Sequence, residues 1–101
     1  MIKISDIRIF GFNDLEANDQ TLIKEFIMHL DYYDAKEKTN INKIIGQIEI
    51  EKREIYIYFF TSPERNQLEI VIGILNYLLA KHQFRGNYTF YELSKYTFQY
   101  E

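Results

Sequence analysis

Residues 44–61 constrain this chain more than any other segment. Two runs that alternate apolar and polar residues flank the charged tetrapeptide Glu51-Lys52-Arg53-Glu54. Folding them back on each other pairs Ile50 with Ile55, Glu49 with Tyr56, Ile48 with Ile57 and Gln47 with Tyr58. Directly opposed residues share a face, so Ile48, Ile50, Ile55 and Ile57 make one apolar surface. Ile45, Gln47, Glu49, Tyr56, Tyr58 and Phe60 make the other. A slip of one residue would mix the two sets, so the pattern itself selects the register of this hairpin. Lys52-Arg53 lacks the Gly or Asn that a two-residue primed turn favours, and a four-residue loop is expected.

The flanking segments read as helices and strands around that hairpin. Ser62 is a good N-cap and Pro63 suits a first helical position. The helix they open carries Leu68, Val71, Ile72, Leu75, Leu78 and Leu79 on one side, with Ile70, Ile74 and Tyr77 widening the apolar arc. Gly86 reads as a stop just beyond it. Gly73, inside the helix, predicts close helix packing, and Gly46 predicts a bulge or a close approach. Upstream, Ile2 and Ile4 and then Ile7 and Ile9 alternate with a slip at Ser5-Asp6, which predicts a bulge. Arg8, Phe10 and Phe12 fall opposite Ile7 and Ile9. A cap near Asn18-Asp19 precedes the helical spacing of Leu22, Ile23, Phe26, Ile27, Leu30 and Tyr33. Asp34 to Asn42 reads as a polar loop. In the tail, Tyr88, Phe90, Tyr96, Phe98 and Tyr100 share one parity, while Thr89 to Glu92 also fits a capping box. Strand at both ends of the tail with an irregular centre is the expectation.

The resulting order, β-α-β-β-α-β, is the signature of a ferredoxin-like sandwich. It predicts a single α+β domain over residues 1–101, with an antiparallel sheet of four to five strands and two helices on one face. The first and third strands would then be central neighbours, and Phe10 and Phe12 would lie beside Tyr56, Tyr58 and Phe60. The 16 isoleucines and 17 aromatic residues favour strands, in keeping with a substantial sheet.

Charge and composition exclude more than they identify. A net charge of −3 disfavours a general nucleic-acid binder, which carries a basic footprint. With no cysteine, disulfides, thiol nucleophiles and thiolate metal sites are ruled out. The N-terminus shows no long apolar signal region, and Leu68 to Ala80 is too short to cross a bilayer. A cytoplasmic protein is the expectation.

Two surfaces stand out. The polar hairpin face brings Tyr56, Tyr58 and Phe60 together, beside Phe10 and Phe12 in the expected topology. Tyrosine combines apolar area with a hydroxyl, which suits protein interfaces. At its turn end, Glu49, Glu51 and Glu54 would steer a basic partner. RNA-recognition modules show a similar element order and stack bases on such a face, but their stacking positions are held here by Ile55 and Ile57. His29 and His82 are the general acid–base candidates near neutral pH, and neither has a nucleophile or orienting partner in sequence. No cofactor or metal site is expected. The leading reading is a non-enzymatic protein-binding module, an inhibitor or immunity-type protein that caps a basic partner. A homodimer through the same face, single-stranded nucleic-acid binding and a small histidine-dependent enzyme are the alternatives.

Overall fold

The computed structural model describes residues 7–93. The expected strand at Ile2 and Ile4, the bulge at Ser5-Asp6 and the tail from Ser94 onward lie outside the described residues. Four strands form one sheet: β1 (Arg8–Phe10), β2 (Ile45–Glu51), β3 (Glu54–Phe59) and β4 (Asn87–Glu92). Helix α1 (Ala17–Glu37) and the short α2 (Ile41–Ile44) connect β1 to β2, and α3 (Arg65–Lys81) connects β3 to β4. The class is α+β.

The hairpin has the register its pattern demands, with Ile50 opposite Ile55, Ile48 opposite Ile57, Glu49 opposite Tyr56 and Gln47 opposite Tyr58. Its loop is tighter than expected. Glu51 pairs with Glu54, leaving only Lys52 and Arg53 between the strands, at φ 52° and 64°. These are the left-handed angles that a primed turn requires. The turn is braced from outside, because the Arg53 carbonyl accepts a bond from the Asn87 N–H at 3.1 Å. A Cβ on Gly86 would come within 1.9 Å of that same carbonyl oxygen, so only glycine fits there.

Register shifts between Ile45 and Gln47, so Ile45 opposes Phe59 and turns into the core instead of joining the polar face. Gly46 sits at this bulge, and a Cβ there would meet the Phe60 ring at 2.7 Å. The bulge and the close approach therefore coincide.

The sheet order is β1-β2-β3-β4, and the sheet is mixed instead of antiparallel. β1 runs parallel to β2, β2 antiparallel to β3, and β3 parallel to β4. The first strand is thus separated from the third by β2, contrary to the ferredoxin-like arrangement. Each helix links strands that are direct neighbours, and nothing is interleaved between them. Both helices lie on the same face, bonded to each other through Glu25 and Lys81. The two β-α-β steps move the same way across the sheet, but their strands point in opposite directions. Their crossovers therefore have opposite hands, and one is of the rare left-handed kind.

One core lies between the sheet and the helices. Leu22, Ile23, Phe26, Ile27 and Leu30 of α1 meet Val71, Ile74, Leu75 and Leu78 of α3 over Ile45, Ile48, Ile55, Ile57 and Phe59. Helix ends differ from the sequence expectation because side chains found other partners. α1 begins at Ala17, after Glu16, with no side-chain cap, and it continues through Asp34 to Glu37. The Asp34 carboxylate instead reaches forward, accepting bonds from Thr39 Oγ1 and from the N–H groups of Ile41 and Asn42 at 2.5–2.8 Å. It thereby caps α2. At α3 the cap is Glu64, in a reciprocal capping box with Gln67, whose amide also bonds the Thr39 carbonyl at 2.8 Å. Ser62 bonds to Glu92 instead, and Thr89 bonds Glu54 at 2.5 Å, so the rival capping box in the tail does not form. Gly73 is exposed, and among the described residues no atom beyond its own helical turn lies within 4 Å of where its Cβ would stand, so the expected close helix packing is not found among them.

Candidate functional site

Among the described residues, alternation along the four strands leaves one side of the sheet without a helix. Residues paired directly across strands share that side, and the register arranges them in rows. Phe10, Glu49, Tyr56 and Thr89 form one row, while Arg8, Gln47, Tyr58 and Tyr91 form the next. Glu51, Glu54 and Asn87 form a third row at the turn end. No core residue interrupts this surface, because Ile48, Ile55, Ile57 and Phe90 take the opposite parity toward the helices.

Tyrosines organise its centre. The rings of Tyr58 and Tyr91 stack with centroids 5.2 Å apart and planes 20° apart. Tyr56 leans on Tyr91 at 6.0 Å and 35°. The Tyr58 hydroxyl points to Glu49 Oε1 at 3.4 Å, a long contact. Burial first, and then the charges of Glu54, Glu51 and Glu49 together with Tyr91, hold the Tyr56 phenol above its ordinary pKa. Tyr58 is raised by burial and by Glu49. Both shifts report that added negative charge is unwelcome here, first because burial strips water from it and then because the neighbouring carboxylates repel it.

Of the residues singled out from sequence, Glu49, Glu51, Glu54, Tyr56 and Tyr58 share this face. Phe10 joins them, exposed, but at the far edge beside Glu49 and not next to the tyrosines. Phe60 follows β3, exposed, with its ring over Gly46. Phe12 does not join. Gly11, at φ 66°, ends the strand, and Phe12 enters a 3-10 turn where its ring packs against the core beneath Lys24. Tyr91 is the member that sequence reasoning missed. Its parity is opposite to that of Tyr88 and Phe90, which pack against the core, and the alternation of β4 could have placed it on the outer face.

The two histidines converge on the other side of the molecule. His82 Nε2 lies 3.0 Å from Glu25 Oε1, and Lys81 Nζ is also 3.0 Å from that oxygen. These bonds pull the Glu25 carboxyl below its usual range and push Lys81 above its own. His82 Nδ1 is 3.3 Å from Asn18 Oδ1. Both ring nitrogens face side-chain oxygens of α1, and these contacts tie the end of α3 to the first half of α1. His29 stands edge-on to Tyr77, 5.8 Å between ring centroids, in a shallow groove of about 540 Å³. Glu25, Met28, Tyr32, Tyr77 and Lys81 complete its lining. The histidine–carboxylate pair joins residues 57 apart in sequence, which no local pattern could reveal. Among the described residues, no three His, Asp or Glu side chains are grouped so as to hold a metal ion. Nor does any described helix have the length and apolarity to cross a membrane.

Comparison with known proteins finds no matching family model, curated protein or solved structure.

Proposed function

We propose that this chain is a non-enzymatic protein-binding module, and that its uncovered sheet face caps a basic partner protein in the manner of an inhibitor or immunity-type protein. The observation that carries this reading is the juxtaposition of a three-tyrosine ladder with Glu49, Glu51 and Glu54 on one sheet face. Aromatic rings supply contact area at small entropic cost, and the carboxylates select and steer a positively charged surface. Arg8 is the one basic side chain in the rows of this face, and it lies at the edge remote from Glu51 and Glu54. Self-association through the same face would set carboxylates against carboxylates, which disfavours it.

The test is purification of the tagged protein from its host at low salt, with and without nuclease. The expected companion is a stoichiometric basic protein that survives nuclease. It is lost on Tyr58→Ala, or on joint replacement of Glu49, Glu51 and Glu54 by Gln, and retained on Tyr77→Ala. A companion indifferent to the sheet-face changes overturns the proposal.

The stacked rings also favour a second reading, single-stranded nucleic-acid binding through Tyr56 and Tyr58. Stacking on such platforms is worth roughly 1–3 kcal/mol per base. This reading predicts binding of a fluorescent oligothymidylate that weakens steeply with salt and on Tyr58→Ala. Absence of saturable binding at low salt eliminates it.

A further inference from the structure

One histidine fastens the end of α3 to the first turns of α1. His82, the residue at which α3 ends, keeps only 9% of its side chain in water. Its Nε2 lies 3.0 Å from Glu25 Oε1, and its Nδ1 lies 3.3 Å from Asn18 Oδ1. Both neighbours are oxygens. A neutral imidazole carries one N–H and one lone pair, whereas the imidazolium carries two N–H groups. Only the charged ring can donate at both contacts. A neutral ring sets one lone pair against an oxygen, in a buried position where an unmade hydrogen bond is costly.

The Asn18 amide has little freedom to rescue the neutral ring. Its Nδ2 donates to the His82 carbonyl at 3.3 Å, which directs Oδ1 to the ring. Turning the amide over would give Nδ1 a donor, but it would set Oδ1 against that carbonyl. In either orientation the neutral form forfeits a contact that the charged form makes.

The charges around the ring agree with this count. Glu25 of α1 is its acidic neighbour. Bonds from His82 and Lys81 pull the Glu25 carboxyl below its usual range, so it stays ionised wherever histidine titrates. Lys81 of α3 is the opposing charge, and its Nζ reaches the same Glu25 oxygen at 3.0 Å. About half of the Lys81 side chain is in water, which screens its repulsion. Glu16, Asp19 and Arg53 border a neighbouring hollow that Asn18 also lines, and none of them bonds to the ring. The position at the C-terminal end of α3 adds the helix dipole to the same preference.

We infer that His82 is a proton-dependent latch between the two helices: as the imidazolium it bonds both Glu25 and Asn18 and locks the end of α3 to α1, and loss of one proton opens one of the two contacts. The joint lies where the chain leaves α3 through Gln83, at φ 53°, toward β4. In the unfolded chain the ring meets water, so folding favours its charged form. The stability this supplies is complete at the acid end of the histidine range and is lost as pH rises through it. The latch needs no partner and lies on the helical side, so it is independent of the function proposed for the sheet face.

Thermal melting of the full chain between about pH 5.5 and 8.5, set against His82→Gln, tests this. Over that range Glu25, held low, and Lys81, held high, keep their charges, and the comparison cancels the contribution of His29. Expected is an advantage of wild type over His82→Gln that is largest at the acid end and shrinks by about 4 °C or more toward the alkaline end. Asn18→Ala, which removes the acceptor at Nδ1, is expected to cut that shrinkage at least by half. Nuclear magnetic resonance of the ring in a His29→Gln background, where His82 is the one histidine left, supplies a readout that packing alone would not move. At the acid end two ring N–H signals, slow to exchange with water, are expected, and Asn18→Ala should remove one of them. Should His82→Gln fail to fold, Asn18→Ala and the ring signals carry the test. Parallel melting of wild type and His82→Gln across the range overturns the inference, as does a single slowly exchanging ring N–H at the acid end.

Discussion

The two sides of the sheet are built from the same strands, yet they answer to different physics. Toward the helices, Ile48, Ile55, Ile57 and Phe59 are almost wholly buried within one apolar cluster. Away from them, Glu49, Tyr56, Tyr58 and Tyr91 are only partly covered and interact through ring stacking and charge. The inner side sets stability, because removing atoms there leaves a cavity. The outer side contributes less to stability, because its groups keep their interactions with water when the chain stands alone, and it is the side proposed to meet a partner. A residue and its immediate neighbour in β3 therefore have nearly separable roles.

The sharpest way to break this comparison is truncation of adjacent residues. Ile57→Ala should cost about 2–5 kcal/mol of unfolding free energy, whereas Tyr58→Ala should cost well under half as much. Chemical denaturation of both variants measures this. Equal losses would mean that the outer face is part of the core.

Glycines offer the next contrast. Gly86→Ala forces a Cβ onto the Arg53 carbonyl and should destabilise by about 1–3 kcal/mol or prevent folding. Gly73→Ala, with open space around it among the described residues, should stabilise the chain by about 0.5–1 kcal/mol. Melting of dilute samples reads both, and opposite signs are expected.

Asp34→Ala leaves the Ile41 and Asn42 N–H groups without their acceptor and should cost about 1–2 kcal/mol. Asp34→Asn, which keeps an acceptor oxygen, should recover part of that loss in the same denaturation assay.

The smallest effect belongs to the Glu25 cluster on the helical side. Bonds from His82 and Lys81 lower the folded-state pKa of Glu25 below the ordinary 4.5. A depressed carboxyl contributes stability that is present above the unfolded value and lost as pH falls through the folded one. Lys81, raised above 10.5 by Glu25, contributes in the opposite sense, and its share is lost as pH climbs through its folded value. The melting-temperature difference between wild type and Glu25→Gln should shrink as pH falls below about 4.5. A difference that grows over that range would assign the cluster another role.

Much of the site was legible before any coordinates. The alternation in β2 and β3 named Glu49, Glu51, Glu54, Tyr56 and Tyr58 as one surface, because side-chain direction in a strand follows a period of two and needs no distant information. Phe12 was misplaced because alternation was extended through Gly11, whose left-handed backbone ends the strand. Tyr91 is legible from the alternation of β4, whereas the grouping of Met28, Tyr32 and Tyr77 around one groove depends on which helix lies beside which.

By itself, then, the sequence determined the main helices and strands, the hairpin register and, away from the bulge at Gly46 and the strand end at Gly11, the inner and outer sets of the hairpin. All of these rest on local backbone geometry and on the exclusion of apolar groups from water. Only the tertiary structure decided the neighbours. Sheet order, parallel pairing, the unequal hands of the two crossovers and the bond from Glu25 to His82 link residues far apart in the chain. Interleaved and sequential strand orders bury much the same apolar faces of these strands and helices, so the local pattern is nearly blind to the choice between them. Contacts that depend on the order found, such as the Asn87 N–H on the Arg53 carbonyl beside Gly86 and the α1–α3 pairing, involve residues far apart in the chain.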